Sequence, residues 1–343
     1  VLFGPTAVGK TELLARLFPT PSPVEIISAD SMQVYRCMDV GTAKPPIWLR
    51  QRLPHHLLDV VEPDRQFNAG EFVHRADALV AEILGRGHRP VLCGGSAYYL
   101  RSFINGLPGA PPADAGVRAA LKEALARRGL VSLREELQQV DPASARAIGA
   151  QDAYRVLRAL EVYRVSGRPR SSFLNPGVPR SCYRFLLIGL QRPREELYRR
   201  IDTRVEEMLA GGLASEVSDL LARGYGAGDP GMRGIGYKEF LDMEARGQSM
   251  REVGELIKRN SRRYAKRQIT FFRSLPGVRW HSPEDVLTLR TLIEGHFAGG
   301  VAGACPEHCS GGAPLDAPDP DRHNGAFFSN SSGADNQSGS GGT

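Results

Sequence analysis

A chain of 343 residues, 41% hydrophobic and 24% charged, can bury one large α/β core or a core and a smaller domain, and reads as a soluble, enzyme-sized globular protein. No signal peptide or membrane span can be read and no membrane partner is expected; the expectation of a cytoplasmic protein comes from the cysteine pattern. The formal charge is +6, and the stretch after Gly300 holds Glu307, Asp316, Asp319, Asp321 and Asp335 against Arg322, so the rest of the chain is more basic than the whole and favours a polyanionic partner, nucleic acid above all.

The chain starts at Val1 without a methionine and with only a stub of strand, Val1-Leu2-Phe3, so a few residues are expected to be missing before it. That stub runs into Gly4-Pro5-Thr6-Ala7-Val8-Gly9-Lys10-Thr11, which fits the ATP-binding phosphate-loop pattern G-x-x-x-x-G-K-[ST]. The glycines let backbone N–H groups turn inward around phosphate oxygens, Lys10 brings a mobile positive charge, and the Thr11 hydroxyl can ligate Mg²⁺. Glu12 to Phe18 continues as a helix. A kinase, an NTPase and a transferase with a diphosphate leaving group all need this cradle, so the motif names no reaction.

Val24-Glu25-Ile26-Ile27-Ser28 follows the proline-rich Pro19 to Pro23 and reads as a second parallel strand. In open α/β sheets the ligand lies beyond the carboxyl ends of the strands, which puts Asp30, Ser31 and Gln33 in the crevice of the phosphate loop. Asp30 reads equally well as the N-cap of a helix over Ser31 to Arg36. His55 and His56 read as packing groups. Pro90-Val91-Leu92-Cys93 is another buried strand, with Gly94-Gly95 turning into a helix that starts near Ala97. No acidic residue closes that strand to hold Mg²⁺, which weighs against an ordinary ATPase.

From Pro111 to about Pro179 the composition turns helical, with Ala119, Ala120, Leu121 and Leu125 on one face and Leu133, Leu137 and Val140 on another. Near its end, in Asp152 to Val162, Arg155 and Arg158 share a helix face, where pairing of Arg158 with Glu161 is the plain reading. Phe185 to Leu190 returns the chain to the sheet, and Pro193 starts a helix to Leu209. The expected domains are therefore a discontinuous core, 1–110 with 180–299, and a helical insertion, 111–179. Gly231 to Glu239 is a glycine-rich approach to a helix carrying Arg233, either an exposed loop arginine or a phosphate clamp. Lys258, Arg259, Arg262, Arg263, Lys266, Arg267 and Arg273 form basic rows with few acidic partners in the surrounding sequence. Residues 300–343 read as a disordered Gly/Ser-rich tail. The five cysteines, Cys37, Cys93, Cys182, Cys305 and Cys309, have no framework spacing and point to a reducing compartment. Cys305, His308 and Cys309, even with His323, make a poor zinc site.

The stretches Ile27 to Arg36, Asp39 to Pro45, Pro54 to Asp59, Phe67 to Phe72, Gly94 to Leu100, Asp152 to Val162 and Tyr264 to Gln268 together resemble the bacterial tRNA dimethylallyltransferases, or tRNA isopentenyltransferases, of the IPP transferase family, up to about Pro283. Members more often have threonine where this chain has Ser96. The resemblance implies a P-loop NTPase-like parallel sheet flanked by helices, with the helical insertion touching tRNA. It implies transfer of a dimethylallyl group from dimethylallyl diphosphate to N6 of adenosine 37 in tRNA, with Mg²⁺ as cofactor, a monomer being the default state. Carried onto this sequence, it makes Asp30, Thr6 and Arg233 catalytic and Gly4 to Thr11 the diphosphate cradle. The tRNA contacts would be Asp30, Ser31, Met32, Gln33, Ser96, Gln151, Asp152, Ala153, Tyr154, Arg155, Arg262 and Arg263. Asp30 would take the N6 proton, and Ser31 and Gln33 would hold the flipped base. An adenylate isopentenyltransferase of the cytokinin type, a small-molecule kinase and a non-catalytic RNA-binding protein are the rivals.

Overall fold

The computed structural model describes residues 1–19, 21–173 and 177–299; the expected tail and its cysteine and histidine cluster lie outside them. Among the described residues, six strands form one wholly parallel sheet: β1 (Leu2–Phe3), β2 (Val24–Ala29), β3 (His55–His56), β4 (Arg89–Gly94), β5 (Ile188–Leu190) and β6 (Arg279–His281). Their spatial order is β3-β2-β4-β1-β5-β6, so β1 lies centrally and the loop that follows it opens between β4 and β5.

Side chains alternate across a strand, and here both faces are covered. Leu2, Ile26 and Cys93 point to one side, against the helices Lys10–Leu17 and Val286–Ala298. Phe3, Ile27 and Leu92 point to the other, against the helices Ala69–Gly85 and Ala97–Asn105. The helix Met250–Phe272 contributes to both, through Ala265 on the first side and Val253, Ile257 and Phe272 on the second. Its start is fixed by a capping box, Ser249 with Glu252. The near-continuous apolar runs of β2 and β4 made them legible; the short, polar edge strands β3 and β6 gave no such signal.

The chain divides into two compact units, one of Val1–Gly109 with the described residues 177–299, the other of Ala110–Phe173. In the second, the helices Ala115–Val140, Pro142–Ala147 and Ala153–Ser166 share one core containing Leu121, Leu133, Leu137, Val156 and Leu160. The expectation of two separate faces on Ala115–Val140 is corrected. Gly129, at φ +74°, breaks the helical path, so the stripes before and after it meet the same core, while Ala119 and Ala120 face solvent. A helix over Ser31 to Arg36 does not form either. The segment is a run of turns, and Tyr35 bridges to Val61.

Candidate active site

The loop after β1 is held from several directions. Gly9, at φ +105°, adopts the left-handed conformation that glycine accepts most readily, and it precedes the helix Lys10–Leu17 with no side chain capping the first N–H groups. Arg192 Nε donates to the Val8 carbonyl (2.8 Å) and Arg200 Nε to the Ala7 carbonyl (2.9 Å), bracing the loop from behind. Lys10 Nζ donates to the carbonyls of Gly4 (3.0 Å) and Pro5 (2.9 Å). Burial lowers the Lys10 ammonium to about 8, against the opposing pull of Cys93 and Asp30. Thr6 and Thr11 are half-buried at this rim.

Asp30 follows the last residue of β2. Its Oδ1 accepts from the N–H groups of Met32 (2.9 Å) and Gln33 (3.4 Å), an Asx turn that aims the carboxylate and replaces the expected helix cap. Oδ2 accepts no hydrogen bond from the described residues. Ser96, just past β4, joins the same turn, its Oγ accepting from Ser31 N–H (2.8 Å) and donating to Ser31 Oγ (3.1 Å). Gln33 does not offer its amide to the crevice as expected. Its Nε2 donates to the carbonyls of Thr42 and Ala43, both at 3.2 Å, and its Oε1 accepts from Ser28 Oγ at 3.3 Å. Glu216 organises the loop Gln33 grips, accepting from the N–H groups of Asp39, Val40 and Gly41 and from the Tyr237 hydroxyl.

Arg204, which no sequence motif singled out, stands in the electrostatic field of both Lys10 and Asp30. Burial pulls its guanidinium below the ordinary arginine value, opposed by Asp30, Glu12 and Glu207. It has no hydrogen bond or ion pair among the described residues. A desolvated cation without a partner is costly, and a bound anion would relieve the cost. Only its i, i+4 spacing from Arg200 on the helix Arg194–Ala210 could have drawn attention to it. Arg233, the arginine expected at the diphosphate, donates from Nη2 to Gly228 O at 2.7 Å and from Nε to Ala227 O at 3.4 Å. Its neighbour Gly234 packs against Met32 so closely that a Cβ there would lie 2.4 Å from Met32 Cε, so this motif shapes the Asp30 turn.

The basic helix is less free than the sequence implied. Arg262 pairs with Asp202 (2.5 Å) and Lys258 with Glu206, because the neighbouring helix Arg194–Ala210 brings carboxylates that are distant in sequence, and Lys258 also pairs with Glu255 one turn away on its own helix. Arg263 is exposed, without an ion pair among the described residues. In the second unit Asp152 Oδ1 caps the helix at Arg155 N–H (3.0 Å), and Ala153 opens that helix. Tyr154 lies under the Arg118 guanidinium, while Gln151 and Arg155 are exposed. Arg158 takes the plain reading, paired with the fully buried Glu161 at 2.8 Å, which also binds Arg118. His55 and His56 act as packing groups, bonded to Leu53 O and to Glu25.

A family model described as IPP transferase matches residues 33–275. The chain belongs to the IPP transferase family. It is 44% identical over 280 residues to a protein of Geotalea daltonii named tRNA dimethylallyltransferase 2, covering 81% of this chain and 86% of that one. It is 44% identical over 284 residues to the tRNA dimethylallyltransferase of Geobacter sulfurreducens, covering 82% and 90%. Among solved structures, the full-length tRNA isopentenylpyrophosphate transferase of Bacillus halodurans superimposes with a TM-score of 0.63 at 35% identity, covering 87% of this chain and 96% of its own. A eukaryotic dimethylallyltransferase acting on tRNA gives a TM-score of 0.71 at 25% identity, covering 87% and 78%. The IPP transferase fold therefore accounts for nearly all the described residues, with the P-loop NTPase-like sheet at its centre.

Proposed function

We propose that this chain is a cytoplasmic, monomeric tRNA dimethylallyltransferase, moving the dimethylallyl group of dimethylallyl diphosphate onto N6 of adenosine 37 in the anticodon loop. The observation that carries this reading is the convergence of two half-buried cations, Lys10 and Arg204, and one carboxylate, Asp30, in a shared electrostatic field at the mouth of a phosphate loop. The diphosphate lies in the loop Gly4 to Thr11, where backbone N–H groups, Lys10 and Arg204 stabilise the negative charge that grows on it as the allylic C–O bond breaks. Arg233 supports the same site from the loop beneath Met32.

The adenine leaves its stack to enter the crevice. As N6 forms its bond to the allylic carbon, the electron pair of the breaking C–O bond leaves with the diphosphate, and Asp30 takes the N6 proton at Oδ2. The Asx turn fixes that carboxylate without using up its second oxygen. Ser31, Met32 and Ser96 line the acceptor side; Gln33 shapes it from within. Arg262, Arg263 and the segment Gln151 to Arg155 hold the stem and loop through phosphates.

Among the described residues no cluster of three or more His, Cys, Asp or Glu could hold a metal. A Mg²⁺ ion fits Thr11 nonetheless, because this ion keeps several waters and is commonly held by one or two protein groups and substrate phosphates. When bound there it would neutralise diphosphate charge.

The test is incubation with Mg²⁺, labelled dimethylallyl diphosphate and either unmodified tRNA bearing A36-A37 or free AMP. Label in tRNA alone is expected. Label in AMP would move the chain to the free-nucleotide branch, and label in neither would overturn the transferase reading.

A further inference from the structure

We propose that Gln268, assisted by Tyr264, is a positioning residue that sets the separation between the diphosphate cradle and the turn that presents the acceptor amine. The inference rests on the transferase reading above. Gln268 is only 3% exposed, and its amide is used at both ends. Oε1 accepts from Thr6 N–H at 2.9 Å, inside the phosphate loop, and Nε2 donates to Gly95 O at 2.7 Å, at the end of β4. One turn earlier on the same helix, the Tyr264 hydroxyl lies beside the side chains of Ser96 and Gln268. Ser96 in turn accepts from Ser31 N–H, the peptide next to Asp30.

A path of hydrogen bonds therefore runs from Thr6 through Gln268 to Gly95 and, from the next residue, Ser96, to Ser31, with Tyr264 beside the junction. It begins where the leaving group lies and ends beside the group that takes the proton. The helix carrying it is locked by Ala265 on one side of the sheet and Phe272 on the other, so the two anchors cannot drift independently. Chemistry restricts the central position. The side chain must accept from an N–H and donate to a C=O at once, which an amide does and a carboxylate cannot. The space is as restrictive, since a Cβ on Gly95 would lie 2.7 Å from Gln268 Nε2.

The bond-forming step needs N6 and the allylic carbon held at attack distance while the C–O bond breaks behind it. Misplacement of one half-site by about 1 Å costs on the order of 10²-fold in rate, without weakening either substrate's own contacts. Gln268→Met, which keeps the bulk and removes both hydrogen bonds, should lower kcat by about 10²-fold, with KM for dimethylallyl diphosphate and for tRNA nearly unchanged. Gln268→Glu should fail to restore it despite its matching shape. Tyr264→Phe removes one hydroxyl and should lower kcat by roughly 10-fold with the same KM pattern; it carries the test if Gln268→Met does not fold.

Pyrophosphate binding, measured calorimetrically, should be equal in wild type and Gln268→Met. Wild-type kcat in the folded variants would overturn the role of Gln268 while leaving the transferase reading intact. A KM rise or loss of pyrophosphate affinity that accounts for the defect would also overturn it, making Gln268 part of the cradle instead. A wild-type protein that transfers no label would remove the reading and this role together.

Discussion

The two ends of β2 carry one carboxylate each, Glu25 near the entry and Asp30 just past the exit, and the fold treats them in opposite ways. Glu25 is buried and saturated. Arg86 grips it with two bonds of 2.7 Å, and His56 and His88 add bonds of 2.6 and 2.7 Å. The Arg86 guanidinium, helped by the two histidines, holds its carboxyl down at about 2. At the other end, Asp30 keeps an oxygen open, Arg204 has no partner among the described residues, and Lys10 is held by carbonyls alone. A saturated charge serves the fold; half-buried charges left short of partners gain most when a ligand arrives.

Arg204→Met should produce the largest effect. Transfer is expected to fall by about 10²–10³-fold, as when one preorganised donor is removed from a developing anion. The thermal midpoint should hold or rise, because a half-buried guanidinium with no partner among the described residues is lost. A midpoint that fell alongside activity would place Arg204 with the structural charges and break the contrast.

Glu25→Gln tests the opposite end. It should lower the unfolding free energy by about 2–3 kcal/mol, a charge-assisted cluster discounted because Arg86 and His88 are partly in solvent, with transfer by the folded enzyme little changed. Denaturant titration and initial rates on the same sample would separate the two quantities.

Proton linkage sharpens both ends. Glu25 has its folded pKa depressed from 4.5 to about 2, so its contribution is present above 4.5 and is lost as pH falls toward 2. Denaturant midpoints measured from pH 6 down to pH 3 should fall less steeply in Glu25→Gln. Lys10 behaves differently, because its pKa of about 8 belongs to the empty loop and a bound diphosphate raises it. Pyrophosphate affinity, after allowance for the ligand's own ionisation, should fall as pH rises above 8, with protons taken up by the protein on binding. Calorimetry at pH 8.5 in two buffers of different ionisation enthalpy would detect that uptake; identical heats would mean Lys10 is not the group that titrates.

The smallest effect applies the same rule to the basic helix. Arg263 is exposed without a carboxylate partner, whereas Arg262 is held by Asp202. Arg263→Ala should reduce the salt slope of tRNA binding by about 1, and Arg262→Ala by less. Equal slopes would show that the Asp202 pair opens on the RNA.

The sequence by itself determined the features written in contiguous residues. Gly4 to Thr11 specifies the phosphate loop because turn geometry, helix start and cation are all set within eight positions, and the apolar runs of β2 and β4 announce buried parallel strands. Knowing that ligands gather beyond strand ends was enough to place Asp30 and Ser31 at the crevice, while Ser96 entered only through the family resemblance. Tertiary structure alone decided which charges are satisfied. Gln268 meets Thr6 across 262 residues, Glu25 meets Arg86 across 61, and Arg262 loses its apparent freedom to Asp202 across 60. Such pairings depend on helix packing, which a local pattern does not encode, so Gln33 looked available and Arg204 looked ordinary. Backbone conformation is set largely by near neighbours, whereas the cost of a buried charge depends on every group that packing brings to it.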